Sequence, residues 1–183
     1  GGGMLVSHDI EFVEQARFLS AQAREPKIHY EHKELGYNYR MSNLLAAVGR
    51  GQLAVLDKRV KTKQEIFDRY NSALGVIEGI EFMPLASYGI SNRWLTTLTI
   101  DEDKTGFNRD SVINVLEKEN IESRPVWKPM HLQPLYEEFE YYLSNESDVS
   151  QRLFLDGLCL PSGTNLSNKD QEKIIDIILS INP

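Results

Sequence analysis

Near the start of the chain, apolar positions recur at helical spacing. Phe12, Ala16, Leu19 and Ala23 fall at i, i+4, i+7 and i+11, which is one face of a helix. Asp9 stands ahead of them as an N-cap, Glu11 suits the positive end of the helix dipole, and Pro26 marks the stop. Met4-Leu5-Val6, just before, reads as a short strand. Residues 27–41 lack any period and crowd His, Tyr and charge together, which reads as an ordered loop. Ser42 then caps a long stripe: Leu45, Gly49, Leu53, Leu56, Val60, Phe67, Tyr70 and Leu74 keep to one face. A continuous helix over 42–74 would be ~45–50 Å long. Such a helix joins two layers or two domains. Ala46, Ala47, Gly49 and Gly51 thin its first part and permit close packing. The basic run Lys58, Arg59, Lys61, Lys63 reads as a solvated helix face.

Beyond Gly75 and Gly79 the pattern shortens. Ile80–Met83 and Trp94–Ile100 read as strands, the second β-branched and bounded by turn residues. Val112, Val115 and Leu116 form a helix capped by Asn108 or Asp110 and ending near Asn120. Ile121–Trp127 reads as a strand interrupted by Pro125, and Pro134 opens a short helix with Leu135, Tyr136 and Phe139. Residues 148–156 form another, stopped by Gly157. Leu158-Cys159-Leu160 is a short buried strand closed by Pro161. Ser167 with Asp170 resembles a capping box ahead of Ile174, Ile177, Ile178 and Ile181. The order β-β-α-β-α-α-β-α predicts an α+β domain with an open, mostly antiparallel sheet and helices on one face.

Composition narrows the function. The 183 residues are 41% hydrophobic and 26% charged, ordinary for a soluble globular protein. A net charge of -7 argues against a general nucleic-acid binder, which needs a basic footprint. With Cys159 as the single cysteine, no intrachain disulfide and no four-cysteine zinc site can form. No apolar run approaches a membrane span and no signal-peptide core is present, so the cytosol is the default compartment. The chain opens on three glycines without an initiator Met. That reads either as an appended scar or as the interior of a larger protein.

The four histidines, His8, His29, His32 and His131, form no i, i+4 zinc pair. Cys159, between leucines, reads as core rather than as a nucleophile. There is no Gly-x-Ser-x-Gly elbow, P-loop or Gly-x-Gly-x-x-Gly. Two stretches crowd polar and aromatic groups where no helix needs them. In Gly36-Tyr37-Asn38-Tyr39-Arg40-Met41-Ser42, Asn38, Arg40 and the amides of the following helix can bind an anion such as phosphate. Equally, Asn38 can fix the loop while the tyrosines pack and Ser42 caps. In Arg124-Pro125-Val126-Trp127-Lys128-Pro129-Met130-His131-Leu132-Gln133-Pro134, the prolines stiffen a cationic, aromatic loop of the kind that carries binding groups. A rigid surface loop with Trp127 tucked into the core is the plainer reading.

These two stretches, with Gly2-Gly3-Met4 ahead of them and Leu160-Pro161 after, occur in the order found in a known family. Over essentially its whole length the chain resembles the C-terminal half of a DegT/StrS-type sugar aminotransferase, a branch of the fold-type-I pyridoxal phosphate enzymes. The resemblance implies three parts: a remnant of the large cofactor-binding α/β domain (1–41), a long connecting helix (42–78), and a small C-terminal α+β domain (79–183). It implies transfer of an amino group, usually from glutamate, to a nucleotide-linked keto-sugar for bacterial polysaccharide or glycan synthesis. Such enzymes are homodimers with sites at the interface. In that setting Asn38 resembles the residue reaching the cofactor phosphate of the neighbouring subunit. Arg40, His131, Trp127 and Arg124 resemble substrate-facing residues.

One departure stands beside the match. In the family, the lysine that links the cofactor lies a few residues before the Gly-Gly-Met strand, as do the ring-binding aspartate and the stacking aromatic. The first lysine here, Lys27, lies beyond a whole helix and matches nothing catalytic. The expectation is a fragment that is inactive alone and does not itself bind pyridoxal phosphate. A non-enzymatic sugar-nucleotide-binding or dimerisation module is the alternative.

Overall fold

The computed structural model describes residues 3–143 and 147–181; Gly1 and Gly2 of the opening glycine run lie outside the described residues. The chain divides into two compact units, with the boundary between Leu56 and Asp57. No helix among the described residues is long and apolar enough to cross a membrane.

The first unit carries helices α1 (Ile10–Ser20) and α2 (Asn43–Leu53). Asp9 caps α1 as the sequence predicts, its Oδ1 accepting the Phe12 N–H at 3.0 Å. The helix ends at Ser20, well before Pro26, because Gln22 and Ala23 take left-handed backbone (φ 69° and 49°) and turn the chain back. Ala23, expected on the helical face, is instead fully buried in that turn. Met4–Val6 forms no strand and is exposed. A strand exists only through a ladder partner, and within this unit none runs beside it.

The long helix expected from the apolar stripe is interrupted. Residues 42–74 hold two helices, α2 and α3 (Leu56–Leu74), separated by a turn at Ala54-Val55. There the Val55 N–H donates to Gln52 O three residues back, at 3.2 Å, instead of four. Gly49 and Gly51 each cost about 1 kcal/mol of helix propensity against Ala, and β-branched Val55 adds to that. The apolar stripe continues across the break, which is why periodicity alone reads one helix.

The second unit is built on a four-stranded sheet in the order β1-β2-β4-β3, from β1 (Ile80–Phe82), β2 (Thr96–Ile100), β3 (Arg124–Pro125) and β4 (Gly157–Leu160). All three pairings are antiparallel. Helices α4 (Glu102–Thr105), α5 (Arg109–Lys118), α6 (Val149–Asp156) and α7 (Asn168–Leu179) complete it. Ile66, Tyr70 and Leu74 of α3 join Leu98 and Ile100, Val112 and Leu116, Leu158 and Leu160, and Ile174 and Ile178 in one core. The expected α+β architecture is present. Of the two candidates, Asn108 caps α5, and Ser167 caps α7 as expected, its Oγ accepting the Asp170 N–H at 3.1 Å; Asp148 caps α6.

Other expectations shrink. Of Ile121–Trp127 only Arg124-Pro125 is strand, with the Val126 N–H adding one further bond to Gly157 O. The helix opened by Pro134 is a 3₁₀ turn, Pro134–Tyr136, following another at Met130–Leu132. Helix α4 is too short to leave an apolar period in the sequence: Asp101 caps it and Gly106 closes it at φ 76°. Helix α6 runs directly into β4 at Gly157, where a Cβ would collide with the Leu153 carbonyl and the Val126 side chain.

Candidate substrate and cofactor site

The two stretches singled out by sequence fall in different units, and each is built by its own neighbours. In the first unit, residues 36–39 lie along the turn that ends α1. Tyr37 N–H donates to Leu19 O (2.7 Å), Gln22 N–H to Tyr37 O (2.8 Å) and Tyr39 N–H to Ser20 O (3.0 Å). A Cβ on Gly36 would overlap the Gln22 and Ala23 backbone, so only glycine admits this approach. His32 Nδ1 lies 2.9 Å from Gln22 O and steadies the same turn.

Tyr37 and Tyr39 stack with ring centroids 5.1 Å apart. In extended backbone that puts Asn38, which pairs with Ala21, on the opposite side. Asn38 and Arg40 are both exposed. Two residues after Arg40, the Ser42 Oγ accepts the Leu45 N–H at 3.3 Å and starts α2, whose first turn holds no acidic residue. An amide, a guanidinium and a helix N-terminus free of carboxylates are the donor set a phosphate requires. These residues therefore fit the phosphate end of pyridoxal phosphate. Lys27, the first lysine of the chain, is paired with Glu31 at 2.6 Å in an exposed loop.

In the second unit, the Val126 N–H donates to Gly157 O at 3.1 Å and launches the proline-rich loop from the sheet edge. The structure gives each of the three residues of this unit that are expected to face substrate a different partner. Arg124 Nε donates to Glu122 Oε1 at 2.6 Å, and its charge is offset there. Trp127 is not tucked into the core; it is exposed and stacks on Trp94. His131 is largely buried, its ring parallel to Tyr141 with centroids 3.7 Å apart and its Nε2 2.7 Å from Asp148 Oδ2. That carboxylate is at ion-pair distance but off the direction of the Nε2–H, which has no well-aligned acceptor among the described residues. The Gln151 N–H, as the largest influence, holds the Asp148 carboxyl below its ordinary range, with Ser150 and His131 adding to it.

Sequence reasoning missed Trp94, Tyr141 and Asp148 as members of this region. Asp148 was legible only as a helix start, and Trp94 only as a strand end. Cys159 lies on β4, half-buried, with its thiol pKa pushed up by burial; that accords with a core role rather than a reactive one.

A small α+β domain on an antiparallel sheet, following a helix that leaves a separate first unit, is the architecture of the C-terminal part of a fold-type-I aminotransferase. Over residues 1–179 the chain matches the DegT/DnrJ/EryC1/StrS aminotransferase family, and it belongs to that family. It is 50% identical over 182 residues to EpsN of Bacillus subtilis, whose name describes a candidate pyridoxal phosphate-dependent aminotransferase; the match covers 99% of this chain and 46% of EpsN. It is 30% identical over 175 residues to the GDP-perosamine synthase of Caulobacter vibrioides, covering 95% of this chain and 46% of that protein. A solved DegT DnrJ EryC1 StrS aminotransferase from Brucella abortus superposes with a TM-score of 0.78 at 27% identity, over 96% of this chain and 45% of that one. The chain thus spans about half the length of the curated relatives it matches.

Proposed function

We propose that this chain is the C-terminal part of a pyridoxal phosphate-dependent enzyme that aminates a nucleotide-linked keto-sugar in bacterial polysaccharide or glycan biosynthesis. The observation that carries this reading is family membership over residues 1–179, joined to coverage of 46% of EpsN. In this reading residues 1–41 belong to the large domain, 42–78 connect, and 79–183 are the small domain. The bound cofactor supplies the electron sink. Asn38 holds its phosphate across a homodimer interface, and Arg40 faces the nucleotide-sugar. Arg124, Trp127 and His131 line the substrate side. Arg124 must exchange Glu122 for an anionic group to do so. His131, with Nε2 turned to Asp148, has Nδ1 left for a sugar hydroxyl. Glutamate is the amino donor, the compartment is the cytoplasm, and the 183-residue chain does not turn over alone.

The test compares two proteins: the chain as it stands, and the longest reading frame that contains it. Each is mixed with pyridoxal phosphate, glutamate and a nucleotide 4-keto-sugar, and 2-oxoglutarate release is followed. Release by the longer protein only is the expected outcome. A longer protein that binds nucleotide-sugar without any release would overturn the reading in favour of a non-enzymatic module. Borohydride trapping of the short chain with cofactor should label no lysine stoichiometrically at a single site.

A further inference from the structure

Just past the end of α1, two consecutive residues stand in left-handed backbone, and neither is glycine. Gln22 (φ 69°) and Ala23 (φ 49°) make a turn that such residues rarely adopt. Strain of this kind persists only where the surroundings over-determine it, and it gathers where a site depends on geometry. Ala23 is fully buried, and its N–H donates to Phe18 O at 3.0 Å. The last carbonyls of α1 have no acceptor role left inside the helix. They accept instead from the segment that carries Asn38: Leu19 O from the Tyr37 N–H and Ser20 O from the Tyr39 N–H. Gln22 is held at both of its backbone groups. Its N–H donates to Tyr37 O at 2.8 Å, and its carbonyl faces His32 Nδ1 at 2.9 Å.

Only one arrangement of the imidazole makes that last bond. A carbonyl oxygen accepts and cannot donate, so the Nδ1 of His32 carries a hydrogen and, in the neutral ring, Nε2 is bare. The ring arrives there because the chain from Arg24 to His32 closes on itself. Those two residues pair as an isolated antiparallel bridge, the Glu25 N–H donates to Glu31 O at 3.0 Å, and the Arg24 guanidinium lies 4.2 Å from the centroid of the Tyr30 ring. His32 is itself exposed, so what it contributes is this bond rather than packing. Asn38 pairs with Ala21, the residue before Gln22. A shift at Gln22 is therefore passed to the Asn38 backbone twice, through Ala21 and through Tyr37 O.

We propose that His32 is the positioning residue of the phosphate site: by fixing the Gln22 carbonyl it holds the left-handed turn, and through Gln22 and Tyr37 it sets where the Asn38 amide stands. This rests on the reading of Asn38 as a holder of the cofactor phosphate and adds the residue on which that grip depends. His32 does not touch the phosphate; it supports the group that does, as a ligand-binding side chain requires of its neighbours. Side-chain geometry supplies variants that separate the bond from the ring. The amide nitrogen of Asn stands directly on Cγ, as Nδ1 of His does, whereas Gln places its amide one atom further out, near the position of Nε2. H32N therefore keeps the bond to Gln22 O, H32Q moves the donor away from it, and H32F keeps a ring without any donor.

The first measurement needs no functional variant. Ring nitrogen-15 spectra of the 183-residue chain in mildly alkaline buffer, with the His32 signals assigned by their loss in H32N, should show the hydrogen on Nδ1 and a bare Nε2. The opposite tautomer overturns the proposal. Amide exchange by mass spectrometry then follows Gln22, Tyr37 and Tyr39. Exchange there should be about tenfold faster in H32Q and H32F and unchanged in H32N, with the core of the second unit unaffected in all. Unchanged protection in both H32Q and H32F overturns the proposal, and so does a loss that spreads to the second unit, which would mark general collapse. The last arm uses the longest reading frame that contains the chain, titrated with pyridoxal phosphate and with pyridoxal, which lacks the phosphate, and followed by cofactor absorbance rather than turnover. H32Q should weaken pyridoxal phosphate about tenfold and leave pyridoxal unchanged, and H32N should restore the wild-type affinity. Equal weakening of both compounds, or of neither, overturns the positioning role and leaves the amination reading standing. A wild-type longer protein that takes up neither compound overturns the amination reading, and this inference falls with it.

Discussion

His131 Nε2 lies 2.7 Å from Asp148 Oδ2, and the other oxygen of the same carboxylate, Oδ1, accepts the Gln151 N–H at 2.9 Å as the cap of α6. One side chain therefore ties the proline-rich loop to a helix start. Asn at position 148 can still cap but carries no charge, whereas Ala does neither. We expect D148A to expose the 126–136 segment to proteolysis and to lose the ring-current shifts of the His131–Tyr141 stack; D148N should keep α6 while loosening the loop. Equal behaviour of the two variants would show that only the cap matters.

The same carboxylate sets an acid dependence. Its pKa is held below the ordinary value, chiefly by the Gln151 N–H. A carboxyl depressed on folding contributes its full stabilisation above its unfolded value of about 3.9. That contribution fades as pH falls through the lower folded value. Protection of the α6 amides against hydrogen exchange should be level above the carboxylate range and decline below it, and D148N should flatten the decline.

Gly36 offers a sharper test of the Asn38 loop. A methyl there meets the Gln22 and Ala23 backbone, which cannot move aside as a flexible side chain would. Overpacking of this kind costs ~1–3 kcal/mol. G36A should release the three backbone bonds that join 37–39 to the end of α1, read as loss of amide protection at Gln22, Tyr37 and Tyr39. The core of the second unit should keep its protection; a global loss would contradict the division at Leu56.

Gln171 tests the second unit from inside. It is fully buried, with Oε1 accepting from Arg69 Nη1 at 2.6 Å and Nε2 donating to Ile66 O at 2.7 Å. Leucine fits the volume but strands both partners, at ~1–3 kcal/mol. I178A, by contrast, opens a cavity in the core at ~2–5 kcal/mol. Urea unfolding followed at Tyr signals should rank I178A at or below Q171L in stability.

How much of this was legible in advance follows from the range of the forces involved. The caps at Asp9, Ser42 and Ser167 match the sequence, and Asn108 rather than Asp110 caps α5, because capping is decided within a few residues. Apolar periodicity found α5 and α7 for the same reason. The helix break at Ala54-Val55 was missed because the stripe runs through it, and the Met4–Val6 strand was misread because a strand depends on a partner that pattern cannot supply. At the candidate site, residue types in two stretches marked the right loops. The partners that define them, Asp148 to His131 and Trp94 to Trp127, lie 17 and 33 residues away by sequence number and only the fold brings them together.

The first unit leaves a large apolar surface in the open. Among its described hydrophobic residues only Ala23 is buried, while Met4 is 89%, Val6 82% and Leu44 81% exposed, with Phe12, Leu45 and Val48 also open. At about 25 cal/mol per Å², a few hundred Å² of such surface amounts to several kcal/mol of drive toward association. The second unit carries its own core, with Tyr70, Leu116, Leu158 and Ile178 fully or almost fully buried. We therefore expect the 183-residue chain to scatter above its 21.0 kDa monomer mass at tens of micromolar. A version beginning at Asp57 should run as a monomer and keep its cooperative unfolding. Replacing Met4, Val6 and Phe12 with Ser in the full chain should shift it toward the monomer without changing its helical circular dichroism. A full chain that stays monomeric across this concentration range, with or without those substitutions, would show that residues 3–56 cover their apolar surface by some means other than association.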